Sequence, residues 1–250
     1  KSIRIMKYLI IGASSGLGRE LANKFAEENN NLVLVSRDER DLNAIKSDLE
    51  IKYNININIL TLDFSSIDEI NQKLLSQNNI LENLDGIIFP IGMMFSEDNL
   101  NLDNERMNKL VNANFLSIAY VIQKIKTFLL KKKNPCIIGF GSVSGFLGRG
   151  INTTYAGAKR ALESYFESLA FDKELRNINI QFYTLGYMET NLSFGKDLKL
   201  PKASVKKLSE RVYNNKNIKF LKKYYPSFWQ IIHLIIKIIP FSILRKLNFK

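Results

Sequence analysis

The chain has 250 residues, 46% of them hydrophobic, a size that fits one large core before a split into domains is expected. Its single cysteine, Cys136, excludes an internal disulfide, argues against a cysteine-based metal site and fits a reducing compartment. The net charge of +12 sits at one end: residues 1–198 carry 23 basic and 23 acidic side chains, whereas 199–250 carry 13 basic ones and Glu210 as the sole acid.

No linker, low-complexity tract or internal repeat divides the chain. The first apolar run is too short for the core of a cleavable signal peptide, and polar residues follow it at once. Residues 1–5 read as an extension ahead of a start at Met6. Apolar runs at 6–11, 32–35, 57–62, 84–91, 136–140 and 178–185 read as strands buried on both faces. Amphipathic stretches at 16–29, 38–52, 66–78, 103–131 and 152–176 alternate with them as helices. This alternation predicts an α/β fold, a doubly wound parallel sheet of the Rossmann type in three layers. Ligands in such sheets bind beyond the carboxyl ends of the strands, where the winding direction reverses. Residues 187–216 read as a loop with short helices, placed to serve as a substrate lid, and 218–225 as a final strand. A main domain over 6–225 and an amphipathic extension over 226–250 complete the expected organisation.

The first strand runs into Gly12-Ala13-Ser14-Ser15-Gly16-Leu17-Gly18, which opens the first helix. Glycines there permit a tight turn and let backbone N–H groups approach a pyrophosphate, and the helix N-terminus adds partial positive charge. Ser14 and Ser15 offer further donors, and Leu17 completes the turn. The second strand ends at Val35-Ser36-Arg37, where a site for NAD usually carries a carboxylate for the ribose 2′-hydroxyl. A guanidinium suits a 2′-phosphate, which favours NADP(H). Alternatively Arg37 is a solvated charge and Asp38 serves the ribose. Asp63 has two readings as well: an acceptor for the adenine amino group, or an N-cap for the helix that starts near Ser65.

Tyr155 and Lys159 stand four residues apart on a predicted helix and share a face. An ammonium beside a phenol favours the phenolate and lowers its pKa from about 10, which suits proton exchange with a forming alkoxide. Ser142 ends a strand thirteen residues before Tyr155 and is placed to hold a substrate oxygen. Taken alone, such a pair is often a buried tyrosine beside a snorkelling lysine.

With the glycine turn and this serine, tyrosine and lysine spacing together, residues 6–190 resemble the short-chain dehydrogenase/reductase family. The resemblance implies that Asn114 holds a water in a proton relay through Lys159. It implies that Lys159 also binds the nicotinamide ribose and that Thr190 contacts the carboxamide. On the other reading, Asn114 is one polar residue in an Asn-rich chain and Thr190 is a helix cap. Two positions depart from the family pattern. Phe89-Pro90-Ile91-Gly92 stands where Asn-Asn-Ala-Gly is common, leaving Gly92 alone, and Leu185 replaces the usual proline before Gly186. The first change removes polar side chains expected to support the cofactor.

The basic end surrounds an apolar run at 228–239 of twelve residues, short of the ~20 that span a bilayer. With Lys219, Lys222, Lys223, Tyr224, Tyr225, Trp229, Arg245, Lys246 and Lys250 around it, the run suits a headgroup boundary. It equally suits a dimer interface or a helix packed on the sheet. Nucleic acid lacks a recognisable motif here, and His233, the only histidine, makes a zinc site improbable. The tail's aromatic and Ile-Ile-Pro-Phe pattern also resembles the ends of reductases that act on polyprenyl-phosphate sugars, which implies a lipid-linked substrate. The expectation is an NADP(H)-dependent carbonyl/alcohol oxidoreductase without metal. It is expected in the cytoplasm or on the inner membrane face, as a homo-oligomer acting on a small or lipid-linked molecule. A soluble reductase of 3-oxoacyl-carrier or small carbonyl substrates, and a non-enzymatic nucleotide-binding scaffold, stay open.

Overall fold

A computed structural model of the protein describes residues 5–189 and 201–246. Thr190, the expected carboxamide contact, and Lys250 lie outside the described residues. Seven parallel strands form one sheet in the order β3-β2-β1-β4-β5-β6-β7. They are β1 (Lys7–Ile11), β2 (Asn31–Ser36), β3 (Ile57–Thr61), β4 (Gly86–Phe89), β5 (Cys136–Ser142), β6 (Asn179–Leu185) and β7 (Leu221–Tyr225). The order reverses between β1 and β4, so the carboxyl ends of those two strands diverge into a crevice.

Alternate strand residues face opposite layers. Tyr8, Ile10 and Leu34 pack with Leu21 and Phe25 of α1 (Gly16–Glu27) and Leu42 of α2 (Glu39–Tyr53). Leu9, Ile11 and Ile87 pack on the other side. Their partners include Leu81 of α4 (Asn78–Leu81), Ile118 of α6 (Ser117–Leu129) and Phe166 of α7 (Thr153–Phe171). This is the three-layer fold that the alternating pattern predicts.

Several helices differ from the expected continuous ones. The stretch at 66–78 is only a turn of α3 (Ile67–Glu69) running into a π-helical turn at Ile70–Leu75. The stretch at 103–131 is α5 (Asn104–Val111), a π turn at Asn112–Leu116, and then α6. The stretch at 152–176 ends as helix at Phe171, and a 3-10 turn at Glu174–Asn177 follows.

Within 187–216, read as a loop with short helices, stands α8 (Val205–Asn215), a regular helix on the α1 layer. Its Leu208 and Val212 are fully buried, and Tyr213 meets Phe25 edge-on at 5.0 Å. Ser204 caps it by accepting from the Lys207 N–H. The last elements are α9 (Trp229–Ile238) and α10 (Phe241–Leu244).

Candidate active site

The crevice at the switch point has a volume of about 1450 Å³. One wall is the turn after β1. Gly12 holds φ at +95° and Gly16 at +51°, backbone angles that favour glycine. A Cβ on Gly12 would stand 3.1 Å from the Ile91 backbone, and one on Gly18 would stand 1.9 Å from the Gly12 carbonyl oxygen. Gly18 therefore lies behind the crevice, letting α1 sit down on the turn, whereas Gly12, Ser14, Ser15, Gly16 and Leu17 line it. Ser15 is the N-cap of α1 but its side chain makes no capping bond, and the first turn holds no acid. The helix thus presents unpaired N–H groups and partial positive charge to the cavity.

Ser36, Arg37 and Asp38 border the same cavity at the end of β2. The Asp38 carboxylate caps α2, accepting from the Asp41 N–H at 2.9 Å, and the Asp38 N–H donates to Ser36 Oγ at 3.0 Å. Arg37 is exposed and makes no ion pair among the described residues. Asp63 also lines the crevice, but the N-cap reading for it is corrected. Ser66 caps α3, and Asp63 Oδ1 instead accepts from the Ser65 N–H and hydroxyl at 2.9 and 2.8 Å. The local tie to Ser65 wins over the helix start because the helix begins two residues beyond Ser65, at Ile67.

The opposite wall is built by β5 and α7. Ser142, Tyr155 and Lys159 all reach the crevice. Ser142 Oγ accepts from the Ser144 N–H at 3.2 Å, and its hydroxyl faces the same crevice as the Tyr155 phenol. Lys159 Nζ is buried and donates to the carbonyls of Ile91 and Phe140, each at 3.2 Å. Burial lowers its pKa to about 8. The Tyr155 phenol moves the other way: burial raises its pKa, and the Ser142 hydroxyl only partly opposes this. The expected depression of the phenol by Lys159 is therefore corrected. Inside the cavity wall, lost hydration of the phenolate dominates, and the neighbouring amine is itself pushed toward neutrality.

The Pro90-Ile91-Gly92 departure is explained here. Backbone takes over from the absent side chains, since the Ile91 carbonyl holds Lys159. Gly92 faces the crevice, and a Cβ on it would lie 3.7 Å from Asn114 Oδ1 and 3.9 Å from Lys159 Nζ. Asn114 is fully buried in the π turn and lies under the wall, not in the cavity. Its Oδ1 accepts from the Met93 N–H at 3.2 Å, and its Nδ2 donates to the Met93 and Leu110 carbonyls at 2.8 and 2.9 Å. The side chain thus pins the loop after β4, which leaves its amide without a free donor for a relay water. The π turn, a feature common at functional sites, places Asn114 there.

One residue carried no sequence signal. Asn152, at φ +53°, is the formal N-cap of α7 but makes no side-chain bond. Asp98, buried in the loop after β4, does the capping from outside. It accepts from the Thr153 hydroxyl at 3.0 Å, the Thr154 N–H at 2.9 Å and the Tyr155 N–H at 2.8 Å. Burial works to raise its pKa, but these bonds outweigh it and hold the carboxyl below its ordinary range. A cap supplied from fifty-seven residues away leaves no local pattern to read.

The remaining crevice wall is largely apolar, with Met93, Met94, Phe95, Val143, Leu185 and Met188, and Arg149 stands among them with its guanidinium on Ser144 Oγ at 3.3 Å. Beyond β6, the Ala203 N–H donates to the Tyr187 carbonyl at 2.8 Å and the Glu189 N–H to the Ala203 carbonyl at 3.1 Å. Those bonds tie Ala203 back to the start of the segment 187–216 expected to be a lid; residues 190–200 lie outside the described residues.

A doubly wound sheet with a glycine turn at its switch point defines a dinucleotide-binding type of α/β protein. More specifically, the chain belongs to the short chain dehydrogenase family, whose profile matches residues 7–199. It is 28% identical over 227 residues to a very-long-chain 3-oxoacyl-CoA reductase of Podospora anserina, covering 87% of this chain and 66% of that protein. The chain spans only 52–66% of the length of six curated reductases of this name. Among solved structures, a short-chain dehydrogenase of Sphingobium yanoikuyae in complex with NADPH superposes with a TM-score of 0.80. It is 21% identical, and the match covers 94% of this chain and 97% of that one. A bulky-bulky ketone specific alcohol dehydrogenase of Comamonas testosteroni gives a TM-score of 0.77 at 20% identity, covering 95% and 96%.

Proposed function

We propose that the protein is an NADP(H)-dependent oxidoreductase that interconverts a carbonyl and a secondary alcohol on a lipophilic substrate. The observation that carries this reading is the shared crevice. A phenol and a serine hydroxyl, with an amine of lowered pKa, stand in the same cavity as a glycine turn whose Gly12 holds a positive φ and whose Gly18 leaves no room for a Cβ.

The turn fits a dinucleotide. Gly12, Ser14, Ser15, Gly16 and Leu17 would hold its pyrophosphate against the start of α1, with Asp63 and Gly92 bordering the same cavity. Ser36 and Arg37 would meet a 2′-phosphate. Asp38 is engaged in capping α2 while Arg37 makes no ion pair among the described residues, which supports NADP(H) over NAD(H). When bound, the nicotinamide supplies or takes a hydride, two electrons with one proton, at the carbonyl carbon.

The chain's own residues handle the oxygen. Ser142 holds the carbonyl oxygen beside Tyr155, and Tyr155 donates its phenolic proton as the oxygen becomes an alkoxide. A phenol kept protonated by burial suits this donation. Lys159, which exchanges protons near pH 8, returns a proton to Tyr155. Asn114 and Asp98 position these groups through the loop after β4. In the reverse direction Tyr155 takes the alcohol proton.

The Met93, Met94, Phe95, Val143, Leu185 and Met188 wall supports a lipophilic chain beside the carbonyl, and Arg149 supports an anionic group on the same substrate. Relatives that are 3-oxoacyl-CoA reductases agree with both features. The test follows oxidation of NADPH and NADH with 3-oxoacyl thioesters of increasing chain length and with small water-soluble ketones. NADPH is expected to be preferred, with kcat/KM rising with chain length. Preference for NADH overturns the role of Arg37. Tight NADPH binding without turnover on any carbonyl overturns the enzyme reading in favour of a nucleotide-binding scaffold.

A further inference from the structure

The C-terminal helices invert the usual arrangement of apolar side chains. In α9, Ile231, Leu234, Ile235 and Ile238 are 62%, 55%, 51% and 80% exposed. Their spacing of three, four and seven residues places them on one helical face. Phe241 and Ile243 of α10 continue the exposed set at 70% and 51%. Elsewhere large apolar residues such as Ile51, Leu100 and Phe171 are exposed one at a time, which is ordinary, whereas a contiguous apolar stripe marks an interaction surface.

The inner face of α9 is firmly seated. Trp229 is buried, and its indole occupies the space that a Gly186 side chain would take, 1.8 Å from the position of a Cβ there. It meets Tyr187 edge-on at 5.6 Å. His233 stacks on Phe146 at 4.0 Å, and its Nδ1 shares a hydrogen bond with the Tyr224 hydroxyl at 2.7 Å. The stripe is therefore the outer face of a docked helix.

Charge identifies what covers it. Lys219, Lys223, Lys237, Arg245 and Lys246 are exposed and make no ion pairs among the described residues. Lys222, by contrast, is held by Glu163 at 2.7 Å and by Glu167. Glu210 is the only acid in residues 199–250. A second copy of the chain seated across a two-fold axis would bring the same basic rim against itself with nothing to neutralise it. An anionic bilayer answers both features, since acyl chains take the stripe and headgroup phosphates take the rim. No helix among the described residues is long and apolar enough to cross a membrane.

We propose that α9 and α10 form an interfacial docking surface for an anionic lipid bilayer, lying in the plane of the membrane with Ile231, Leu234, Ile235, Ile238 and Phe241 below the headgroups. Because Gly186 and Tyr187 line the crevice, a bilayer-bound α9 stands one side-chain layer from the substrate cavity. This proposal is independent of the reductase reading, and its test reads location without turnover.

The test floats the full chain with vesicles of phosphatidylcholine alone and of equal parts phosphatidylcholine and phosphatidylglycerol. Salt is set at about 0.1 M and about 1 M, where the Debye length falls from about 10 Å to about 3 Å. The variants are I231S/L234S/I235S, whose sites are exposed, and K237E/R245E; circular dichroism and the unfolding midpoint report their folding. The expected result is binding to the anionic vesicles at low salt that falls at least about tenfold at high salt. The apolar triple variant, with an unchanged midpoint, is expected to lose at least about tenfold, and the charge variant to lose its salt dependence. Absence of binding at low salt, equal binding to both vesicle types, or undiminished binding by the triple variant overturns the proposal. So does a dimer in sedimentation velocity that the triple variant dissociates, which would assign the stripe to a second copy.

Discussion

The crevice and the C-terminal helices solve opposite problems. In the crevice, polar groups are buried and nearly all are bonded: Asp98 takes three donors, Asn114 makes three bonds to backbone, and Lys159 holds two carbonyls. In α9 and α10, a stripe of apolar groups is exposed on the outer face. Buried polar groups without partners cost about 1–3 kcal/mol each, so the first region is stable as it stands. Exposed apolar surface forgoes roughly 25 cal/mol per Å² of burial, so the second region is complete only against something else. The first region is self-sufficient, and the second carries a free face.

This contrast is sharpened by changes whose effects range from large in the crevice to nearly none in the tail. Tyr155→Phe removes the acid while keeping the ring, and kcat is expected to fall by about 10²–10⁴ with cofactor affinity and unfolding midpoint held. An unchanged kcat breaks the assignment. Arg37→Ala removes a charge-assisted contact of about 1.5–3 kcal/mol, so KM for NADPH is expected to rise roughly tenfold or more while KM for NADH stays put. Equal shifts for both nucleotides would make Arg37 a bystander.

Asp98→Ala leaves the start of α7 uncapped. Stability is expected to fall by about 1–2 kcal/mol in chemical unfolding, with kcat reduced more than KM because the Tyr155 backbone loses its anchor. The Asp98 pKa is depressed in the folded protein, so its support is present above the ordinary value of 3.8 and is lost as pH falls through the folded value. The destabilisation by Asp98→Ala should therefore shrink in strong acid.

Lys159 gives a pH dependence of the opposite kind. Its folded pKa of about 8 lies below the ordinary 10.5, so the unfolded chain binds more protons between those values. Stability attributable to Lys159 should rise as pH climbs from about 8 toward 10.5, while reduction slows as the ammonium is lost. Comparison with Lys159→Met isolates the effect. The smallest change is expected at the other end of the molecule, where I231S/L234S/I235S should leave turnover of a small water-soluble ketone within experimental error. A large loss there would mean that the stripe belongs to the crevice after all.

The sheet was legible because buried parallel strands are short apolar runs that leave little choice of period, as at β1 and β5. The glycine turn was legible because its backbone angles demand that residue. Ser142, Tyr155 and Lys159 share a cavity because a strand end and one helical face fix them by spacing alone. What stayed hidden depended on contacts between distant segments. Asp98 caps a helix it does not belong to, and Asn114 sits under the wall because a π turn shifts its register. The direction of the Tyr155 shift was hidden for a related reason, since burial is a property of the assembled wall and not of the motif.

The seating of Trp229 against Gly186 has a practical consequence for anyone shortening this chain. The indole is the plug behind one crevice wall, so a truncation that stops at the end of β7 discards part of the cavity's foundation along with the greasy helix. Trimming for solubility should instead spare Trp229 and His233 and replace the outward-facing isoleucines, which keeps the plug and removes the stickiness.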